Sequence, residues 1–235
     1  MVVGRNGLPG GMIVLCPSYR RPQQAGQVYQ SFRDTVRLDT ELLFVIGIKD
    51  SEAYDGHGLP VMCYPEWPMV RRTNRAAEVM APRYDYIGWI ADDNRFETNG
   101  WDASVVKALE ERPGVVVYGN DIVSPGSKPS HVFMDARIVK ALGWFLHPGL
   151  RSTFFDDVWE QIGLGGGGLP LKYLPDVTVR HLYVEKDNSA DFASDMAVYQ
   201  QWLRHDLDAD LDRIRRALRP RRGVGRGSTL APSGA

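Results

Sequence analysis

The chain has 235 residues, 43% hydrophobic and 24% charged, with a formal net charge of -1. This is enough apolar material for one sizeable core, and acidic residues are interspersed with the basic ones over most of the length, which excludes a broad nucleic-acid-binding face and favours a small-molecule substrate. The N-terminal "MVVGRNGLPGG" lacks a long apolar core and no apolar run approaches the roughly 20 residues that cross a bilayer, so a cytoplasmic protein without a transmembrane segment is expected.

Residues 1–11 read as a flexible leader, after which "MIVLC" forms a first strand that runs directly into the turn "PSYRRP". Pro17, Tyr19, Arg20 and Arg21 stand in that turn, where backbone donors and guanidinium groups suit a nucleotide. A helix is predicted over Ala25 to Val36, then a strand "LLFVIGI" that ends at Asp50, placed to accept from a base or ribose. The two cysteines, Cys16 and Cys63, both lie in apolar strand-like runs and have neither metal-clip spacing nor the number of a disulfide framework, so they read as buried, reduced thiols.

A helix from Val70 to Met80, carrying Asn74, precedes the central strand "YIGWIA". This buried-type strand, with Trp89 as core, ends in Asp92, Asp93 and Asn94, where burial is least favourable. Open α/β sheets bind ligands beyond the carboxyl ends of their strands, and hard oxygen donors suit Mg²⁺ or Mn²⁺ carrying phosphates. As an isolated tripeptide, Asp-Asp-Asn equally fits a turn that caps the next helix. That helix is predicted over Asn99 to Glu111, with Trp101 either in the core or on an acceptor wall.

The strand "VVVYG" follows, and "FFDDVWEQIG" starts a helix with Asp156 and Asp157, the latter spaced from Glu160 as a capping box over Asp157 to Ile162. The run "GLGGGG" satisfies a dinucleotide fingerprint literally, but a helix-like run precedes it and "LPLKYLP" follows, so it reads as a mobile glycine loop. A late strand, "VTVRHLYV", carries His181, with Lys186 five residues on. Near the end Leu203, Leu207, Leu211, Ile214 and Leu218 form one apolar stripe that packs on the body or on a second copy of the chain. The basic tail has too little apolar surface to order itself. The divisions are therefore a main domain over 12–190, a helical segment over 191–218 and a disordered tail over 219–235. No Walker A, zincin, C-x-x-C or nucleophile-elbow motif is present.

Taken together, "PSYRRP", "DDNRFETNGWD", "HVFMDARIVKALGWF", "DDVW" and "YLPDVTVRH", in this order and spacing, give a sequence that resembles the GT-A nucleotide-sugar glycosyltransferases, particularly family-2-like enzymes and their short phage and bacterial versions. The resemblance covers about Ile13 to Asp191. It implies a mixed, mostly parallel sheet flanked by helices, Mn²⁺ or Mg²⁺, a nucleoside-diphosphate sugar donor, and a glycan, protein or other hydroxyl acceptor, in a host cytoplasm if the chain is phage-encoded. By position it assigns Pro17, Tyr19 and Arg20 to the donor and Asp50 to the base. Asn74 faces the nucleotide, Asp92 lies near the ribose, and Asp93 and His181 hold the metal. Lys186 contacts the diphosphate. Asp156, ahead of Asp157, is implied as the catalytic base of an inverting reaction. Asn94 departs from the family pattern, which often has a third acid there, and this is the main support for a second reading as a binding module without turnover. A third, a sugar nucleotidylyltransferase, lacks its glycine-rich, lysine-bearing N-terminal loop here.

Overall fold

The structure, a computed structural model, describes residues 11–164, 169–182 and 189–219. The expectations for the leader, for most of the glycine run, for Lys186 and for the basic tail lie outside the described residues.

Eight strands form a mixed sheet: β1 (Met12–Pro17), β2 (Thr40–Gly47), β3 (Val61–Tyr64), β4 (Tyr86–Trp89), β5 (Asn94–Phe96), β6 (Val116–Asn120), β7 (Val132–Asp135) and β8 (Leu171–His181). Their order across the sheet is β3-β2-β1-β4-β7-β6-β8-β5. The β3-β2-β1-β4 half is wholly parallel, as the alternation of strands and helices predicts. β7 is antiparallel to both β4 and β6, β8 runs parallel to β6, and β5 is antiparallel to β8.

The helices are α1 (Pro22–Thr35), α2 (Ser51–Asp55), α3 (Met69–Met80), α4 (Trp101–Glu111), α5 (Ala136–Leu142), α6 (Phe155–Leu164), α7 (Ser189–His205) and α8 (Leu207–Leu218). They cover both faces of the sheet. Alternation along β1 decides which residue serves which face: Ile13 and Leu15 join the core under α3, α5, α6 and α8, whereas Met12, Val14 and Cys16 join the core under α1 and α4. Trp89 and Trp101 are both buried. Trp101 stacks on Phe96 at 4.5 Å between ring centroids and also meets Phe32 and Phe133, which settles it as core and not an acceptor wall.

Several local expectations change. The predicted second strand stops at Gly47, and Asp50 instead ends a 3₁₀ turn over Ile48–Asp50. Cys63 is exposed, because β3 is the outermost strand of the parallel half and its side chains are only partly covered. The C-terminal stripe is carried by two helices with a kink at Asp206. The i→i-4 bonds continue across the kink, and Trp202 Nε1 donates to Asp210 Oδ2 at 2.9 Å. Leu211 and Ile214 are buried in the main core, so the stripe packs on the body. Among the described residues no helix is long and apolar enough to cross a membrane.

Candidate active site

The chain reverses direction just beyond β4, and this reversal places the acidic pair. Asn94 makes it possible: its Oδ1 accepts from Ala91 N–H at 2.7 Å while its own N–H donates to the Ala91 carbonyl at 3.2 Å, closing a turn around Asp92 and Asp93. The chain then leaves as β5 and pairs with β8 in a register that sets Asn94 opposite His181. The bond uses only the carbonyl oxygen of the Asn94 side chain, an acceptor role that a carboxylate also fills, so the turn by itself does not select the amide.

The two carboxylates serve different partners. Asp92 faces the β1 turn: Ser18 Oγ donates to its Oδ2 at 2.7 Å and Arg21 Nη1 to its Oδ1 at 3.4 Å. The Tyr54 hydroxyl lies 2.6 Å from Ser18 Oγ and accepts from Arg21 N–H at 3.1 Å, so one chain of hydrogen bonds ties α1, β1, α2 and the acidic turn together. Burial pushes the Tyr54 phenol up, which keeps it a donor into this chain. Asp93 faces the other way. It is fully buried, its backbone carbonyl accepts from Leu182 N–H at 2.7 Å, and its Oδ1 lies 3.3 Å from His181 Nε2.

A carboxylate oxygen and an imidazole nitrogen meeting at this distance are a donor pair that fits a divalent cation. Among the described residues no third His, Cys, Asp or Glu completes a cage. Mg²⁺ and Mn²⁺ are typically bound through few protein ligands, with substrate oxygens and water in the other positions.

The nucleotide-side expectations divide. Pro17 closes β1 within the core layer, and Tyr19 is exposed with the Arg20 guanidinium over its ring at 4.9 Å. Arg20, in the left-handed region at φ 54°, also reaches 4.0 Å from Asp50 Oδ1. This turn and the end of β2 therefore meet. Asp50 Oδ2 is buried without a hydrogen-bond partner among the described residues, and so is Arg72 Nε. A Cβ added at Gly47 falls 2.6 Å from both Arg72 Nη1 and Glu66 Oε1, so glycine is what lets these two charges close on the end of β2.

Asn74 binds within the protein: its Oδ1 accepts from the Phe145 and Leu146 N–H groups, both at 2.8 Å, and its Nδ2 donates to the Leu146 carbonyl at 2.7 Å. Its amide pins the segment that leads to α6, with both acceptor sites and one of the two Nδ2–H donors engaged.

That segment delivers the second acidic pair. α6 begins at Phe155, two residues before the predicted capping residue, so Asp156 and Asp157 both lie in its first turn and the capping-box role of Asp157 does not hold. Lys128 Nζ donates to Asp157 Oδ1 at 2.6 Å. Asp156 is pushed up to about 6, first by burial and then by the charge of Asp157, with Lys128 opposing. Of the two neighbouring carboxylates, Asp157 is ion-paired to Lys128 and Asp156 is the one whose value is raised by burial. Phe155 packs on Trp89 at 6.1 Å, joining this helix to the strand that carries Asp92 and Asp93.

The connection between β6 and β7 bridges the two halves. The Asp121 carbonyl accepts from His181 N–H at 3.0 Å at one end, and Lys128 holds Asp157 at the other. Within it Asp121 accepts from Ser124 N–H and from Ser130 Oγ, and buried His131, lowered to about 4 by desolvation, accepts from Gly119 N–H on its Nε2. Ser18, Tyr54, Arg72, Asp121 and Lys128 are the residues that sequence reading missed. Arg72 alone had a signal there: it falls on the apolar face of α3, one turn before Ala76, where a charge calls for a reason.

No protein-family model and no curated protein matches the chain. Solved structures do. A mannosyltransferase from Pyrobaculum calidifontis in complex with GDP-Man and Mn²⁺ superposes with a TM-score of 0.58 at 12% identity, covering 88% of this chain and 73% of that one. TarS of S. aureus gives 0.60 at 13%, covering 87% of this chain, which spans only 42% of the length of TarS. A 4-diphosphocytidyl-2C-methyl-D-erythritol synthase from Anaerococcus prevotii gives 0.52 at 8%, covering 82% of this chain and 100% of that one. At these identities the likeness establishes the fold, which is GT-A-like.

Proposed function

We propose that the protein moves a sugar from a nucleoside-diphosphate donor to a hydroxyl acceptor with inversion, using Mn²⁺ or Mg²⁺. The observation that carries this reading is the meeting of Asp93 Oδ1 and His181 Nε2 at 3.3 Å, beyond the central strand of a GT-A-like sheet and beside the Asp92 network. Asp93 and His181 hold the cation. When bound, it supplies positive charge where the leaving diphosphate gains negative charge, which is typically the largest electrostatic term in such a transfer.

The chain's own groups do the rest. Asp50 Oδ2 offers an acceptor and Arg72 a donor at the end of β2, a combination that suits a base bearing both an N–H and a carbonyl. Asp92, fixed by Ser18 and Arg21, takes the ribose side. Lys186 is proposed as a diphosphate contact. Asp156 removes the acceptor proton as the acceptor oxygen bonds to the anomeric carbon and the bond to the diphosphate breaks. An Asp near 6 is ionised at neutral pH yet basic enough to help, a role that typically gives about 10² to 10⁴ in rate.

The likeness to a 4-diphosphocytidyl-2C-methyl-D-erythritol synthase keeps nucleotidyl transfer as the competing reading. One experiment separates them. UDP-, GDP- and dTDP-sugars are screened with Mn²⁺ for released nucleoside diphosphate, which is expected, and nucleoside triphosphates with sugar phosphates are incubated in parallel, where released pyrophosphate refutes the proposal. Binding of nucleotide with neither product leaves a recognition module and refutes it as well.

A further inference from the structure

A second cleft, about 790 Å³ in volume, lies between the first turns of α3 and the segment 143–151. Its size is that of a small-ligand site. One wall begins directly after β3, at the same sheet edge as Asp50, and the other ends five residues before Asp156. The two walls are tied by Asn74, which lines the cleft and makes all three bonds to the 145–146 turn described above. Asn74 thus fixes the two walls to each other, and one of those walls leads in the chain to the helix that carries the proposed base.

Its charge is one-sided. Arg71, Arg75 and Arg151 line it against a single acid, Glu78. Glu78 is taken by Arg75 at 2.5 Å, and Arg151 reaches Asp191, outside the lining, at 3.4 Å. Arg71 has no ion pair among the described residues. It lies instead over the Trp67 indole at 4.1 Å, and that ring is stacked in turn on Tyr64 at 5.9 Å. A guanidinium laid on an aromatic face is held in place while keeping its donors free, which is the arrangement that recognises planar or tetrahedral anions. Val70, Trp144 and Leu150 add an apolar floor.

We propose that this cleft is the acceptor subsite and that it takes a sugar-sized acceptor bearing an anionic group, phosphate or carboxylate, with Arg71 as the principal contact. The assignment as acceptor rests on the transfer reading above; the assignment as an anion site does not.

Calorimetry on the full chain with glucose, glucose 6-phosphate and glucuronate tests it. The anionic sugars are expected to bind at least about ten-fold more tightly than glucose, and the tighter of the two identifies the anion. Arg71→Ala should weaken that binding about ten-fold and Arg71→Lys by less, since charge remains without the planar stack. Saturating UDP or GDP should leave it unchanged. Equal affinity for glucose and its anionic analogues, or an unaltered Arg71→Ala, overturns the proposal, and displacement by either nucleotide assigns the arginines to the donor and overturns it too. Donor turnover is followed in the same proteins: its absence in the unaltered chain refutes glycosyl transfer whether or not the anion binds, whereas normal donor hydrolysis with lost anion binding in Arg71→Ala is the expected pattern.

Discussion

Asp156→Asn separates the stability of the proposed base from its chemistry. In the folded chain Asp156 sits near 6 against an ordinary value of 3.8, mainly through burial and then through repulsion from Asp157. The shift of about two units is worth at most about 3 kcal/mol of destabilisation, at 1.36 kcal/mol per unit. Below the unfolded value both states hold the proton and the group contributes nothing. As pH rises from about 4 to 6 the unfolded chain loses its proton first, so the folded state loses stability across that window and carries the full penalty above it. Asparagine carries no such penalty. Urea unfolding followed by tryptophan fluorescence should show the variant gaining up to about 3 kcal/mol at pH 7 and little at pH 4. Transfer should meanwhile fall by about 10² to 10⁴, because a neutral amide takes no proton. A variant that is less stable at neutral pH, or whose stability difference is flat with pH, refutes the environment assigned to Asp156. Full transfer by it refutes the role.

Other outcomes follow from the same geometry. Asp93→Ala should abolish metal-dependent transfer and weaken Mn²⁺ binding measured with nucleoside diphosphate present, since it removes one of two donors that meet at 3.3 Å. Asn74→Ala should lower stability by about 2–3 kcal/mol in urea unfolding, at about 1 kcal/mol for each of its three bonds to Phe145 and Leu146, while nucleotide affinity in calorimetry stays the same. Asp195, buried on α7, accepts from Arg151, Ser152 and Thr153 N–H and from Thr153 Oγ, and these bonds hold its carboxyl below the usual range against the opposing effect of burial. Its contribution is present above the ordinary aspartate value and is lost as pH falls through the depressed one. Asp195→Ala should therefore destabilise at pH 7 by about 2–4 kcal/mol and by much less in strong acid, read from unfolding at both pH values.

The sequence by itself determined the α/β class and most elements of the parallel half, because period-two alternation and aliphatic runs are local properties that burial on a sheet enforces. It also determined that Asp92 and Asp93 stand beyond the central strand and that His181 ends a late one. Which carboxylate does what was decided by tertiary structure. Asp92 turns to Ser18 and Arg21, residues 74 and 71 positions away in the chain, and Asp93 turns to His181. Asn74 sits on a helix face that periodicity identifies, but only the return of residues 145–146 against that face gives its amide something to bind. The resemblance ranks Asp156 ahead of Asp157, but the ion pair that Lys128 makes with Asp157 comes from a connection with no periodic signal. Hydrogen bonds and ion pairs act over a few ångströms and are indifferent to separation along the chain, so local pattern can place a charged residue at the end of an element but cannot name the group that meets it there.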